Sequence, residues 1–299
     1  MKNKFAFIIV IFTSLMLNLN AQSDSSNSSK KWTFGGQTTI NASQSAFSNW
    51  VAGGENSFGG TIFGNAFAKY KSERDTWDNT LDLGFGLMKQ GKRPIFKTDD
   101  KIDFSSKYGR SMTKYGHWYY SALVGFKTQF YEGKSSIDDT TKNSTFMAPG
   151  YLSVSIGVDY KPFSNLSIFI SPLTGRTTFV TNKELSNNGA FGVMPGHKAK
   201  FEAGGYIKVE YNQPIHKFFT YNTKLELFSN YLKNPQNIDV NWENILNFKF
   251  NNWLSANFYL TLMYDDDSKI TITNDDGSTH QSARLQVREI FGIGLTYKF

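Results

Sequence analysis

The feature that most constrains this chain is an alternation of apolar and polar residues with a period of two. In the last nine residues, Phe291, Ile293, Leu295, Tyr297 and Phe299 alternate with glycine, threonine and lysine. Since successive side chains of a β-strand point to opposite faces, this pattern predicts a strand with one apolar and one polar face. The same alternation recurs in residues 80–87, 152–160, 203–211 and 254–264.

Twelve segments qualify as strands by this criterion, although Gly59, Gly60 and Gly64 blur the second and Pro172 interrupts the seventh. We expect them near residues 32–40, 57–70, 76–88, 101–112, 117–131, 151–160, 166–179, 200–212, 218–231, 239–250, 253–264 and 284–299. Short connections are expected at 71–75, 113–116, 161–165, 213–217 and 251–252, and longer ones at 41–56, 89–100, 132–150, 180–199, 232–238 and 265–283.

An even number of strands, with short turns at one end and long loops at the other, is typical of outer-membrane barrels. A large soluble β-sandwich would also give alternating strands. However, strands of this length suit a tilted bilayer crossing better than a globular sheet, and aromatic residues concentrate near the strand ends. The sequence therefore predicts an all-β fold, a transmembrane antiparallel β-barrel of about twelve strands, within a range of about ten to fourteen, with short periplasmic turns and longer extracellular loops.

The N-terminus has the order of zones that is typical of a secretory signal. Lys2 and Lys4 precede an apolar stretch at residues 5–17, and small or polar residues follow up to Ala21. We expect cleavage after Ala21, a disordered polar leader at 22–30 and a barrel domain at 31–299. No run of 18 apolar residues occurs, so a transmembrane helix is not expected. The expected location is the outer membrane.

Composition argues against several classes of function. The chain has no cysteine, which excludes disulfides, thiol catalysis and thiolate metal sites. The formal net charge is +7, but the basic residues are spread along the chain and form no block. Nucleic acid is therefore not an expected partner. The motif G-x-S-x-G is absent, and His197 or His280 beside a loop serine is the only sequence basis for a hydrolase. We therefore expect no enzyme, no cofactor and no catalytic residues.

The last residues resemble the C-terminal signal of outer-membrane barrels, in which an aromatic residue ends the chain and another stands two positions before it. Here Tyr297 and Phe299 hold these positions. The segments WVAGGENS at 50–57, WDNTLDLG at 77–84 and MAPGYL at 147–152 resemble a domain-of-unknown-function family of secreted Gram-negative β-barrel proteins. The resemblance implies location and fold but no activity. It also implies membrane lipid and the barrel-assembly machinery as partners.

If the apolar faces meet lipid, charged residues of both signs line the lumen. These candidates are Asp82, Asp103, Lys107, Lys127, Lys208, Glu210, Lys224, Glu226, Glu243, Lys249 and Arg288. They either form interior salt bridges that fill the barrel or line a mixed-charge pore. The sequence slightly favours a passive pore for small hydrophilic solutes. The alternative is a non-conducting scaffold or accessory subunit for other outer-membrane proteins.

Two loop features suggest weaker hypotheses. The acidic groups at 265–267, 275–276 and 138–139 could hold Ca²⁺, but solvated loop tips use the same residues, so no metal site is predicted. The segment Ser48–Glu55 is aromatic and glycine-rich, and it lacks the flanking residues of a phosphate loop. We expect it to fold inward and constrict the lumen.

Overall fold

The computed structural model describes residues 31–47, 55–114, 116–134, 141–267, 270–274 and 278–299. The signal peptide and leader expected at 1–30, the segment 48–54 and the acidic pairs at 138–139 and 275–276 lie outside these residues. The strands are β1 Trp32–Ser45, β2 Ser57–Lys71, β3 Asp75–Gln90, β4 Phe96–Ser111, β5 Trp118–Thr128, β6 Gly133–Lys134, β7 Lys142–Ser144, β8 Gly150–Phe163, β9 Leu166–Phe179, β10 Ala199–His216, β11 Phe219–Asn230, β12 Ile238–Lys249, β13 Leu254–Tyr264, β14 Ile270–Thr273, β15 Thr279–Ser282 and β16 Gln286–Lys298.

Twelve of these strands form one closed antiparallel barrel. Their order around the wall is β1-β16-β13-β12-β11-β10-β9-β8-β5-β4-β3-β2. The last strand closes on the first through the pairs from Gln37 with Lys298 to Asn41 with Gly294. Backbone hydrogen bonds of 3.0 and 3.1 Å between Gly36 and Phe299 extend this seam. The predicted fold and strand number are confirmed.

The connections at one end of the barrel, here called the turn end, are mostly shorter than those at the other, the loop end. Two turns have two residues each, at 164–165 and 217–218, whereas the loop-end connection between β9 and β10 covers 180–198. The expected alternation is not strict. The turn-end connection at 112–117 is longer than the loop-end connection at 91–95, because β3 and β4 pair up to Met88 and Phe96.

Some loop-end connections contain secondary structure that the periodicity did not predict. The short hairpins β6–β7 and β14–β15 extend beyond the barrel wall. A helix, α1 (Lys183–Asn187), lies between β9 and β10, with the side chain of Asn182 accepting a hydrogen bond from the amide of Leu185. Leu185 packs in a small apolar cluster with Ala148, Val180 and Val193. Within the described ranges, no helix is long and apolar enough to cross a membrane.

Pro172 lies in an irregularity of the seventh barrel strand, β9, and does not end it. The register against β10 shifts between Gly204 and Tyr206, which face Thr174 and Ser171. A bulge accommodates proline because the extra residue leaves the ladder and needs no paired amide. This explains how the strand continues from Leu166 to Phe179.

The outward face of the barrel is apolar and exposed. Ile156 is 60% exposed and Leu173 is 64% exposed, on the neighbouring strands β8 and β9. Near the turn end, aromatic rings gather on the same outer face, among them Trp118 stacked on Tyr160 at 4.4 Å and Phe219 stacked on Phe248 at 4.6 Å. The barrel therefore has an apolar outer band with an aromatic edge.

Candidate functional site

The inward faces carry charged side chains that meet across the lumen, and six of them form one group at mid-barrel. This central cluster consists of Lys101, Asp103, Lys127, Lys224, Glu226 and Glu243. The Asp103 carboxylate lies 2.8 Å from Lys224 Nζ and 3.6 Å from Lys101 Nζ. Lys127 pairs with Glu226. Three ammonium groups thus face three carboxylates.

One ion pair of the central cluster spans the whole lumen. Lys101 on β4 places Nζ 2.7 Å and 2.9 Å from the two carboxylate oxygens of Glu243 on β12. The two strands are six positions apart in the ring of twelve, so they lie on diametrically opposite walls. The contact therefore crosses the lumen at its full width.

A second group lies closer to the turn end. This turn-side cluster consists of Asp78, Lys107, Asp159, Lys161, Lys208 and Glu210. Lys107 is 4% exposed, and its Nζ lies 3.0 Å from the carboxylate of Asp159, which is 1% exposed. The hydroxyl of Ser167 accepts a hydrogen bond of 2.6 Å from Lys107 and donates one of 2.7 Å to Asp159. Three cations again face three anions.

A third group lies near the loop end, on the side of the barrel formed by β9 to β13. This loop-side cluster consists of Arg176, Lys200, Glu202, Lys233, Asp239 and Asp267. The Arg176 guanidinium lies 3.0 Å from Glu202 on β10 and 2.7 Å from Asp239 on β12. Asp267, in the connection after β13, pairs with Lys200 and Lys233. Partial burial raises the pKa of Asp267, but these two ammonium groups outweigh it and hold that pKa below its usual value.

The equal numbers of cations and anions in each cluster have a physical reason. An unpaired charge is costly where water is excluded, whereas a hydrogen-bonded pair avoids most of that penalty. The three clusters succeed one another along the barrel axis, and aromatic rings fill space between them. Phe169 is fully buried beside Lys107, and Phe63 stacks on Tyr259 at 4.6 Å between the non-neighbouring strands β2 and β13.

The structure brings together most of the sequence-predicted lumen residues. Asp103, Lys127, Lys224, Glu226 and Glu243 lie in the central cluster, and Lys107, Lys208 and Glu210 lie in the turn-side cluster. The other three lie apart from the clusters: Asp82 accepts a hydrogen bond of 2.6 Å from Asn65, Arg288 pairs with Asp99 near the loop end, and Lys249 is exposed at the turn end.

Sequence reasoning missed several partners of these residues. Lys101, Asp159, Arg176 and Glu202 were not among the candidates, yet each holds an ion pair inside the barrel. Strand alternation carried a signal for three of them. Lys101 stands two positions before Asp103, Asp159 shares the polar face of 152–160, and Glu202 stands two positions before Gly204 on the polar face of 203–211.

The other predicted features lie at the ends of the barrel. Tyr297 is exposed on the outer face, and its ring centroid lies 6.2 Å from that of Phe299. His197 and His280 lie in loop-end connections. Of the acidic groups considered for Ca²⁺, Asp266 accepts a hydrogen bond of 2.8 Å from Asn237, and Asp267 is paired with lysines. Over the described residues, no group of three or more candidate side chains is arranged to hold a metal ion.

Comparison with known proteins gives a family without an assigned activity. Residues 42–133 match the model of a family described as a protein of unknown function (DUF3078). The resemblance to a family of unknown function is confirmed over this range. The match includes the segments at 50–57 and 77–84 and ends before 147–152. A search of curated proteins finds no match.

Two solved structures are similar to this chain over most of its length. One is an outer-membrane channel from Pseudomonas putida F1, with a TM-score of 0.39, 11% identity, and coverage of 93% of this chain and 98% of that chain. The other is the translocator domain of the autotransporter NalP from Neisseria meningitidis, with a TM-score of 0.34, 10% identity, and coverage of 100% of this chain and 96% of that chain.

Proposed function

We propose that this protein is an outer-membrane β-barrel whose lumen is closed by its own side chains and which acts as a membrane-embedded scaffold or accessory subunit for other envelope proteins. The apolar outer band supports the membrane location, since exposed residues such as Ile156 and Leu173 would otherwise meet water. The turn end then faces the periplasm and the loop end the exterior. Membrane lipid and the barrel-assembly machinery are the corresponding partners.

The observation that carries this proposal is the ion pair between Lys101 and Glu243 on opposite walls. A hydrated ion moving along the axis would have to separate this pair and pass the neutral clusters on either side. Separating one partner of a buried pair costs about 3–5 kcal/mol, so this pair is the main barrier to conduction. We also propose that the protein is not an enzyme, because the charged groups of the lumen form ion pairs with one another.

A passive pore is the second candidate. The three clusters consist of side chains, which can rearrange without unfolding any strand. A mixed-charge lumen in a barrel of twelve strands would pass small hydrophilic solutes if the pairs separated. In that case, reversing the charge of Lys208 or Lys224 would change the ion selectivity.

Conductance of the purified protein in planar lipid bilayers distinguishes the two candidates. We expect the wild-type barrel to be silent. A variant that removes two cations and two anions of the central cluster (Lys101→Ser, Asp103→Ser, Lys224→Ser, Glu243→Ser) keeps the net charge and empties the middle of the lumen. We expect this variant to conduct, because the ion pair that spans the lumen has been removed.

The matched control is Lys71→Ser with Glu73→Ser, a charge-neutral change at exposed positions around the β2–β3 turn. This control should stay silent. Heat-modifiable migration in electrophoresis verifies that each variant is folded as a barrel. A steady conductance of the wild-type protein would overturn the closed scaffold and support the pore.

A further inference from the structure

The turn end of the lumen contains a cavity whose charge differs from that of the rest of the barrel. Its volume is about 170 Å³, and inward residues of β1, β11, β12, β13 and β16 line it together with two turns. Asn257 and Ser255 form part of its inner wall, and Tyr259, two positions further along the same face of β13, stacks on Phe63 above them. The cavity is therefore a chamber at the turn end, and the aromatic pair lies further into the lumen.

Three lysines line this chamber, and none of its lining residues is acidic. Lys217 lies in the turn between β10 and β11, Lys249 ends β12, and Lys298 ends β16. Within the described part of the chain, none of the three forms an ion pair. The central, turn-side and loop-side clusters, by contrast, match every three cations with three anions. These exposed lysines give the turn-end mouth of the lumen a positive charge that no lining carboxylate balances.

Neutral hydrogen-bonding groups accompany the lysines. The amides of Gln37, Asn247 and Asn252 line the chamber, and among the residues that the structure describes their side chains have no hydrogen-bond partner. Each amide offers two N–H donors, and each lysine offers three. Ammonium and amide donors that converge on one cavity match an oxyanion, since charge-assisted hydrogen bonds to carboxylate or phosphate are among the strongest that proteins form.

We propose that this chamber is a binding site for a small anion with a phosphate or carboxylate group. The ligand would enter from the turn end, with its oxyanion between Lys249 and Lys298 and its remaining oxygens on the amides. Its volume exceeds the space of a single water and suits a small anion or a headgroup better than a polymer. Two sources share this chemistry: a free anion in solution and the headgroup of an anionic phospholipid.

The test uses the full barrel in nanodiscs of zwitterionic lipid, with inorganic phosphate as the probe and isothermal titration calorimetry as the measurement. We expect saturable binding that weakens as the ionic strength rises. Lys249→Gln and Lys298→Gln should each weaken phosphate binding by about tenfold, because each removes one charge-assisted contact. Lys71→Gln makes the same charge change at an exposed turn-end position outside the chamber, and it should leave binding unchanged.

The outcomes are distinct. Saturable binding that depends on Lys249 and Lys298 supports the site. If phosphatidylglycerol in the nanodisc competes with phosphate, the occupant is a lipid headgroup, and if it does not, the occupant is a free anion. An absence of saturable binding, or equal weakening by Lys71→Gln, overturns the proposal. Bilayer conductance is measured separately, so failure of the anion site leaves the closed-barrel proposal standing.

Discussion

At the scale of single residues, Lys107 and Asp159 show how strongly the lumen depends on paired charges. Lys107→Met leaves the Asp159 carboxylate, 1% exposed, with Ser167 and the more distant Lys161 at 3.5 Å. We expect the free energy of unfolding to fall by about 3 kcal/mol, because the buried Asp159 carboxylate loses its nearest cation and keeps only the more distant Lys161. Urea unfolding in detergent micelles, followed by tryptophan fluorescence, measures the change.

The matched control for Lys107→Met is the double variant Lys107→Met with Asp159→Leu. Removing both charges also removes the buried carboxylate that has lost its nearest cation, so the double variant should be more stable than the single one. Lys161 keeps its contact of 2.8 Å with Asp78, and Glu210 keeps its contact of 2.9 Å with Lys208. A single variant as stable as the wild type would contradict the importance of this pair.

The residues that face inward could be predicted from the sequence, whereas their partners could not. Alternation assigns Asp103, Lys224 and Glu243 to a polar face because it depends only on the strand's own period. The contact between Lys101 and Glu243 joins residues 142 positions apart in the chain. Which inward residues meet across the lumen depends on how the sheet closes and on its stagger, and local sequence does not specify either.

At the scale of single elements, the β8–β9 pair depends on Gly157. A Cβ atom at this position would lie 2.1 Å from the Ile170 carbonyl oxygen and 2.7 Å from Ser171 Cα. Both atoms belong to the backbone of β9 beside the Pro172 bulge, so the two strands would have to separate. We expect Gly157→Ala to lower stability by about 1–3 kcal/mol through overpacking. The urea midpoint of the purified barrel measures the loss.

Gly60→Ala on β2 is the control for that change. Its Cβ would lie 3.6 Å from the Asn41 carbonyl oxygen, which is an ordinary contact. Both substitutions restrict the unfolded chain equally, so their difference reports the close approach of β8 and β9. Equal midpoints for the two variants would show that the bulge tolerates a side chain.

The strand boundaries could be predicted where the alternation is strong. The prediction was wrong where strand pairing continues beyond the alternating residues. The segment 89–100 contains charged residues and Pro94, which favoured a long loop. In the structure, β3 reaches Gln90 and β4 begins at Phe96, because the hydrogen bonds of the hairpin continue through residues that lack an apolar face. The helix α1 and the two small hairpins lack strand periodicity of the required length, which is why they were absent from the prediction.

At the scale of the whole molecule, strand number and closure were predictable because several independent signals agree. The even strand count, the difference between turns and loops, and the aromatic strand ends all indicate a barrel. The state of the lumen was not predictable. A ring of twelve strands is intermediate between filled and open barrels, so its interior depends on which side chains meet. The three neutral clusters are the observation on which the proposal of a closed interior rests.

The orientation of the barrel in the membrane is also a property of the whole molecule. Because the chain has no cysteine, introduced cysteines can test it. Glu73 and Lys92 are exposed at opposite ends of β3, a strand of 16 residues. With a tilt of about 40°, this strand rises by about 40 Å, which exceeds the hydrocarbon core of about 30 Å. A maleimide reagent that does not cross membranes should therefore label Lys92→Cys on intact cells. It should label Glu73→Cys only after the outer membrane has been permeabilised. Labelling of Glu73→Cys alone on intact cells would reverse the orientation, and equal labelling of both would mean that the apolar band does not seal against lipid.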